Sequence, residues 1–288
     1  MRIAAAQYAL ARPGSWDEYA TGLRERLQGV QAEVILFPEY AGLEVLAFLA
    51  PGAPLEAQLR ALDLERYRGV MSELARERGA VVVAGSVPAP EGGSYRNRAY
   101  LFWPDGSSGY QDKLVLTPWE RSTGLLSPGE RLHVFATPFG CLAINVCYDC
   151  EFPMLAWQQA RAGAEVLLVP SCTEGRTGYH RVRLACRARA LENQMLVVQS
   201  SVVGRFPQCE FIDRNTGAAA FFVPPDIGFP DDGVLARGKL NRAAFVTCQA
   251  PLQRLELLRR EGGEVATVRD WTEARGPVER IAGSHAAG

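Results

Sequence analysis

Short runs dense in valine, isoleucine and leucine alternate along this chain with longer stretches in which apolar residues recur every three or four positions. That alternation points to an α/β fold with a sheet buried on one or both faces. Strands are expected at Arg2–Tyr8, Val34–Pro38, Ala80–Ser86, Arg98–Trp103, Leu142–Cys147, Val166–Pro170, Met195–Ser200 and Ala243–Gln249. Helices are expected near Ser15–Gln28, Pro54–Arg78, Pro153–Ala162, Tyr179–Asn193 and Pro251–Arg260. From about Thr272 to Gly288 large apolar residues are few, which reads as an arm or frayed tail after a main unit over residues 1–271. No long linker or low-complexity segment divides the chain.

One internal echo sharpens the picture. Ala32-Glu33-Val34-Ile35-Leu36-Phe37-Pro38-Glu39 is similar to Ala164-Glu165-Val166-Leu167-Leu168-Val169-Pro170-Ser171, and each follows a strand and an amphipathic helix. Two related β-α-β units are implied, in which Gln7-Tyr8 would correspond to Cys147-Tyr148 and Glu39 to Ser171. All these positions then fall at the C-terminal ends of strands, where open α/β sheets build their sites. Unrelated β-α-β units also look alike, because the same physics shapes them.

Composition removes several function classes. With 31 Lys+Arg against 32 Asp+Glu and no basic blocks, the chain has no field to attract nucleic acid or an anionic membrane. No apolar run approaches the ~18 to 20 residues of a spanning helix, and the opening MRIAAAQYAL reads as a strand without a cleavable signal pattern, so a cytoplasmic protein is expected. Seven cysteines, an odd number, argue against a disulfide framework. The three histidines, His133, His180 and His285, lie far from one another and from any cysteine pair, so a metal-free mechanism is expected.

Three residues stand out for chemistry. Cys147 ends the apolar run Leu142–Val146, and Pro153 suits the first turn of a following helix. A thiol on such a strand-to-helix turn is placed as a nucleophile, although a buried structural cysteine fits the same pattern. Cys147 and Cys150 also form a C-x-x-C, open to a redox reading, but Asp149 and Glu151 beside them disfavour thiolates. Glu39 sits at the mouth of a buried strand, where a carboxylate is costly unless it is paired, used or solvated. Lys113, in a polar and aromatic stretch that reads as mostly irregular, would by itself be a surface charge.

Taken together, Phe37-Pro38-Glu39, Asp112-Lys113 through Pro118-Trp119-Glu120, and Cys147-Tyr148-Asp149 through Phe152-Pro153 resemble the marks of the nitrilase superfamily of carbon–nitrogen hydrolases, in order and over most of the chain. The resemblance implies a four-layer α-β-β-α sandwich and a Glu39–Lys113–Cys147 catalytic triad. Glu39 would act as general base, Cys147 as the nucleophile forming a thioester, and Lys113 with the Tyr148 backbone N–H as oxyanion stabiliser. Glu120 matches a second acid of the family, which positions the lysine or the substrate; a loop acid beside Arg121 would look the same. Tyr40, Tyr148, Thr173 and Tyr179, with Trp119, are candidates to line the pocket, although aromatic residues also serve as core.

True nitrilases of that family carry Cys-Trp-Glu, whereas Cys147-Tyr148-Asp149 is similar to the amidase-like and carbamoylase-like branches. A small linear amide or N-carbamoyl compound is therefore the expected substrate. Arg176 or Arg181 would hold a substrate carboxylate, as an arginine of this region does in related carbamoylases; a solvated helix face is the other use for such residues. Met154 stands where the family's turn usually ends in Glu, a departure outside the triad. Family members pair through helices near the site, so the resemblance implies a homodimer or higher homo-oligomer, with the Tyr179–Asn193 helix contributing. A nitrilase proper, or a non-catalytic or thiol-redox protein on the same fold, remains open on sequence alone.

Overall fold

A computed structural model of the chain describes residues 1–274 and 276–278. Its first half runs through β1 (Arg2–Ala9), α1 (Trp16–Arg26), β2 (Val34–Leu36), the short α2 (Leu46–Leu49) and α3 (Leu55–Ala61), α4 (Leu64–Arg78), β3 (Val81–Glu91), β4 (Ser94–Phe102) and β5 (Ser108–Asp112). The five-residue α5 (Pro118–Ser122) leads to β6 (Val134–Thr137), β7 (Gly140–Ile144), α6 (Pro153–Arg161), β8 (Val166–Ser171), α7 (Arg176–Asn193) and β9 (Leu196–Arg205). Then follow β10 (Arg214–Asn215), β11 (Ala220–Phe222), β12 (Val234–Arg237), β13 (Ala244–Gln249), α8 (Leu252–Glu261) and α9 (Thr267–Asp270).

The strands form two half-sheets of the same design. In one the order is β13-β1-β2-β3-β4-β5, and in the other β6-β7-β8-β9-β11-β12. Each has three parallel strands in the middle, one antiparallel strand on one side and two on the other. The halves join where the end of β1 pairs with β9, from Gln7 against Ser201 to Ala9 against Val203. The two-unit repeat is thus present in the topology, with one adjustment to its alignment. Ile3 pairs with Val34 and Leu142 with Val166, so the ladders equate Tyr8, not Gln7, with Cys147. The apolar echo aligns β2 with β8 correctly but leaves β1 one residue out.

Side-chain parity shows how the layers stack. Ala5, Leu36, Val83 and Leu101 point into a core shared with the second half-sheet. Their alternates Ala6, Ile35, Val82 and Phe102 pack with Tyr19, Leu23, Tyr67 and Met71 of α1 and α4. On the far side Ala156 of α6 and Val182, Cys186 and Ala190 of α7 cover the second half-sheet. The result is helices, sheet, sheet, helices: the four-layer α-β-β-α sandwich. Strands buried on both faces explain the near-continuous Val/Ile/Leu runs in the sequence.

Several elements differ from expectation. The single helix expected over Pro54–Arg78 is two, because Leu62 turns extended (ψ 110°) and the Asp63 side chain caps a new helix by accepting from Arg66 N at 3.0 Å. The strand expected to reach Cys147 ends at Ile144, and Cys147 opens a single 3-10 turn over Cys147–Glu151 before α6. β5, β6, β10, β11 and β12 have no counterpart among the expected strands. The C-terminal arm falls largely outside the described residues. Among the described residues no helix is long and apolar enough to cross a membrane.

Candidate active site

The first carboxylate is placed by a turn that a glycine makes possible. After β2 the chain passes Phe37 and Pro38 and reaches Glu39, while β3 bulges beside it between Val83 and Ser86. Gly85 sits in that bulge at φ +72°, and a Cβ there would collide with the Pro38 carbonyl oxygen. Ser86 Oγ then accepts from Tyr40 N at 3.1 Å, and Tyr40 itself adopts φ +59°. Cys147 is likewise left-handed, at φ +49°. Non-glycine residues avoid this region, so both turns carry strain that the surrounding packing holds in place.

These turns gather a buried polar cluster. Lys113 Nζ lies 2.8 Å from Glu39 Oε1 and 2.8 Å from Glu120 Oε2, with every side chain at most 3% exposed. Asn97 Nδ2 donates to the same Glu39 Oε1 at 2.9 Å and to Glu120 Oε1 at 3.0 Å. Tyr40 Oη donates to Glu120 Oε1 at 2.6 Å. The second oxygen of Glu39 accepts from Cys172 N at 2.9 Å, and the Cys147 thiol donates to the Cys172 carbonyl at 3.6 Å. Glu120 is fixed by its own helix: it closes a capping box at the start of α5, where its Oε2 accepts from Thr117 N at 2.8 Å.

The stretch bearing Lys113 is held from the opposite side by Asp149. Its carboxylate accepts from Val115 N at 2.8 Å and from Leu114 N at 3.1 Å, tying the lysine segment to the cysteine turn. Burial raises Asp149 to about 7, with Lys113 and these N–H groups pulling the other way.

The ionisation of the cluster follows from burial and mutual charge. Burial raises Glu39 above the usual carboxylate range, Lys113 opposes this, and Glu120 adds to it. Burial also works against the Lys113 ammonium, but Glu39 and Glu120 outweigh it and hold its pKa well above the ordinary lysine value. Glu120 is disfavoured by burial yet ends below its usual value through Lys113 and Tyr40. Burial first, and Glu39 second, push the Cys147 thiol well above the cysteine range, against the pull of Lys113. The resting arrangement is a neutral thiol beside a carboxylate of raised basicity and a firmly charged lysine.

A cleft of about 650 Å³ opens over this cluster, with Glu39, Lys113, Glu120 and Cys147 among its lining residues. Tyr40, Tyr148 and Thr173 line it too, together with Trp119. The polar groups of two of these are engaged elsewhere, Tyr40 on Glu120 and Thr173 Oγ1 on the Thr216 carbonyl at 2.6 Å. Arg176 and Tyr179 do not line it. Helix α7 offers the cleft Thr177, Gly178, Arg181 and Val182, and at about 100° per residue Arg176 and Tyr179 fall off that face. Arg181 does reach the cleft but is paired with Glu151 at 3.1 Å. The wall opposite comes from Glu210, Phe211, Asp213 and Arg214, which sequence reasoning does not single out.

Asn97 and the clamp of Asp149 also escape the sequence reading. A signal for Asn97 is present: it shares a strand face with Ala99 and Leu101, which makes it a buried polar residue, but the expected strand begins one residue too late, at Arg98. The two thiols of the C-x-x-C turn to different partners, Cys150 Sγ to the Val182 carbonyl of α7 at 3.8 Å and Cys147 Sγ to the Cys172 carbonyl at 3.6 Å.

Comparisons with known proteins show the family. A model of the family described as carbon-nitrogen hydrolase matches residues 2–227. The chain is 34% identical over 285 residues to "Probable hydrolase YhcX" of Bacillus subtilis (strain 168), which takes in 98% of this chain and 55% of that protein. It is 31% identical over 140 residues to "Omega-amidase NIT2-B" of Xenopus laevis, covering 46% of this chain and 51% of that one. The chain thus spans about half the length of the curated relatives it matches. Among solved structures, a mutant of the amidase from Nesterenkonia sp. AN1, with acrylamide added at its active-site cysteine, superposes with a TM-score of 0.63 at 25% identity, covering 94% of this chain and 99% of that one.

Proposed function

The chain belongs to the carbon–nitrogen hydrolase family, and on that premise we propose that it is a cysteine-dependent amidohydrolase acting on a small linear amide or N-carbamoyl compound. The observation that carries this reading is the Cys147 thiol buried beside the Glu39–Lys113 ion pair, with all three lining one open cleft. Glu39 takes the thiol proton as Cys147 Sγ attacks the carbonyl carbon, and the oxyanion so formed is stabilised by the Lys113 ammonium and the Tyr148 backbone N–H. Collapse of the tetrahedral intermediate breaks the C–N bond, and the proton held on Glu39 leaves with the ammonia or amine. Water then gives a proton to Glu39 and attacks the thioester, and return of that proton to sulfur releases the acid and restores the thiol.

Each group has the protonation state its role needs at rest. A carboxylate of raised pKa is a stronger base, and a lysine between two carboxylates remains charged through the cycle. An amide is favoured over a nitrile by the Cys147-Tyr148-Asp149 turn and by the amidase and omega-amidase relatives. The hydrolase unit spans residues 1–271 and works in the cytoplasm as a homodimer or higher homo-oligomer, for which Met154 on α6 and Leu184 and Leu191 on α7 offer exposed apolar side chains. No cofactor enters the scheme.

The test is ammonia release from a panel of simple amides, ω-amides, N-carbamoyl amino acids and nitriles, run in parallel on the wild type and Cys147→Ala. Release from an amide or carbamoyl compound that vanishes in the variant is expected. Turnover of nitriles alone, or turnover that survives in Cys147→Ala, would reject the reading.

A further inference from the structure

The centre of the site contains one side chain that lines no part of the cleft and yet touches most of the machinery. Asn97, on β4, is fully buried. Its two amide hydrogens go to two different carboxylates, Glu39 Oε1 at 2.9 Å and Glu120 Oε1 at 3.0 Å. Its backbone carbonyl accepts from Lys113 N at 2.9 Å. One residue therefore bonds the base, the second acid and the lysine backbone together.

The other end of the same amide is informative. Asn97 Oδ1 is buried and has no hydrogen-bond partner. Reversing the amide would not cure this, because it would set Oδ1 against two carboxylate oxygens. An orphaned buried acceptor costs stability, and a residue kept only for packing would be better apolar. What the position gains is donation of both N–H groups into a space shared by two anions and one cation. Without that donation a single ammonium must separate two carboxylates that repel one another, and Lys113 can swing toward either.

We propose that Asn97 is a positioning residue of this site: its amide fixes the separation of Glu39 and Glu120 and so keeps Lys113 centred between them. The proposal rests on the amidohydrolase reading above. Asn97 acts on the reaction only through its neighbours, since it lies outside the cleft lining. Loss of its N–H removes a donor from the Glu39 carboxylate and makes that group easier to protonate. The other groups that bear on Glu39 are Lys113, Glu120, Cys147, Cys172 and Tyr40, all of which the substitution leaves in place.

The test compares Asn97→Leu, a near-isostere without donors, and Asn97→Asp, an isostere that adds a third carboxylate, with the wild type on a substrate from the panel. Thermal melts confirm folding, and Asn97→Ala replaces the leucine variant should that one misfold. The expected results are a fall in kcat of about tenfold or more for Asn97→Leu and a larger one for Asn97→Asp, with KM within about threefold. The acid limb of kcat/KM should move to higher pH in Asn97→Leu, a shift that a purely structural role would not produce. A folded variant with kcat within about twofold of wild type and an unmoved acid limb would overturn the proposal. A wild type that releases no ammonia and forms no adduct at Cys147 would overturn the amidohydrolase reading itself, and the two failures are told apart by the wild type alone.

Discussion

Lys113 and Glu39 form an ion pair at 2.8 Å with each side chain only 2% exposed, a depth at which an unpaired charge is costly. Lys113 is shared with Glu120, so its removal leaves two buried carboxylates facing one another. Lys113→Met should lower stability by about 3–5 kcal/mol at pH 8, and should recover part of that loss as the pH falls and one carboxyl takes up a proton. Urea unfolding of both proteins at pH 8 and pH 5 measures it. An equal loss at both values would contradict the pairing.

The turn that delivers Glu39 depends on Gly85. A methyl group there meets the Pro38 carbonyl well inside contact distance on a backbone already at φ +72°, whereas Gly29, at φ +75°, has nothing within 4 Å. Gly29→Ala should therefore show only the conformational cost of about 1 kcal/mol. Gly85→Ala should lose distinctly more, with reduced alkylation of Cys147 in whatever protein folds. Equal melting temperatures for the two variants would show that the bulge does not need glycine.

Asp149 gives a pH signature. Burial raises it to about 7, so between about pH 4 and about pH 7 the folded chain keeps a proton that the unfolded chain has released. Its contribution to stability is complete below the unfolded value and is lost as the pH rises through 7, at up to about 1.4 kcal/mol per pH unit. In Asp149→Asn, which cannot titrate, the slope of stability against pH should be less negative than in wild type over that window. Parallel slopes in denaturant titrations from pH 5 to 8 would contradict the assignment.

The cleft has a charge preference of its own. Beyond the catalytic cluster its lining carries Glu151, Glu174, Glu210 and Asp213 against Arg181 and Arg214, and Arg181 is already paired. Among amides of equal length, one ending in an ammonium should have a kcat/KM several-fold, about 3- to 10-fold, above one ending in a carboxylate at low salt. The difference should shrink at about 0.5 M salt, where electrostatic reach is short. A carboxylate preference would instead assign Arg214 as an anion-binding group.

The parts of this protein that depend on local pattern are legible in its sequence. The buried parallel strands stand out because both faces are apolar, and Glu39, Lys113, Cys147 and Glu120 stand out because each lies in a motif. β5, with the sequence Ser108-Gly109-Tyr110-Gln111-Asp112, has no apolar run and exists through its antiparallel pairing with β4. Asn97 is hidden for a related reason, since its partners lie 58 and 23 residues away in sequence. Arg176 and Tyr179 are suggested by a region rather than by a helix face, and α7 turns a different stripe toward the cleft. Arg181 belongs to that stripe, but its pairing with Glu151 cannot be read from spacing.

The proposed mechanism requires Cys147 to become acylated during turnover. Intact-mass spectrometry of the wild type, quenched in acid during reaction with an amide substrate, should show a species heavier by the acyl group, and peptide mapping should place it on Cys147. Cys147→Ala should show neither the adduct nor ammonia release. Ammonia release by the wild type with no acyl species on rapid quenching, or an adduct on any other residue, would contradict the account.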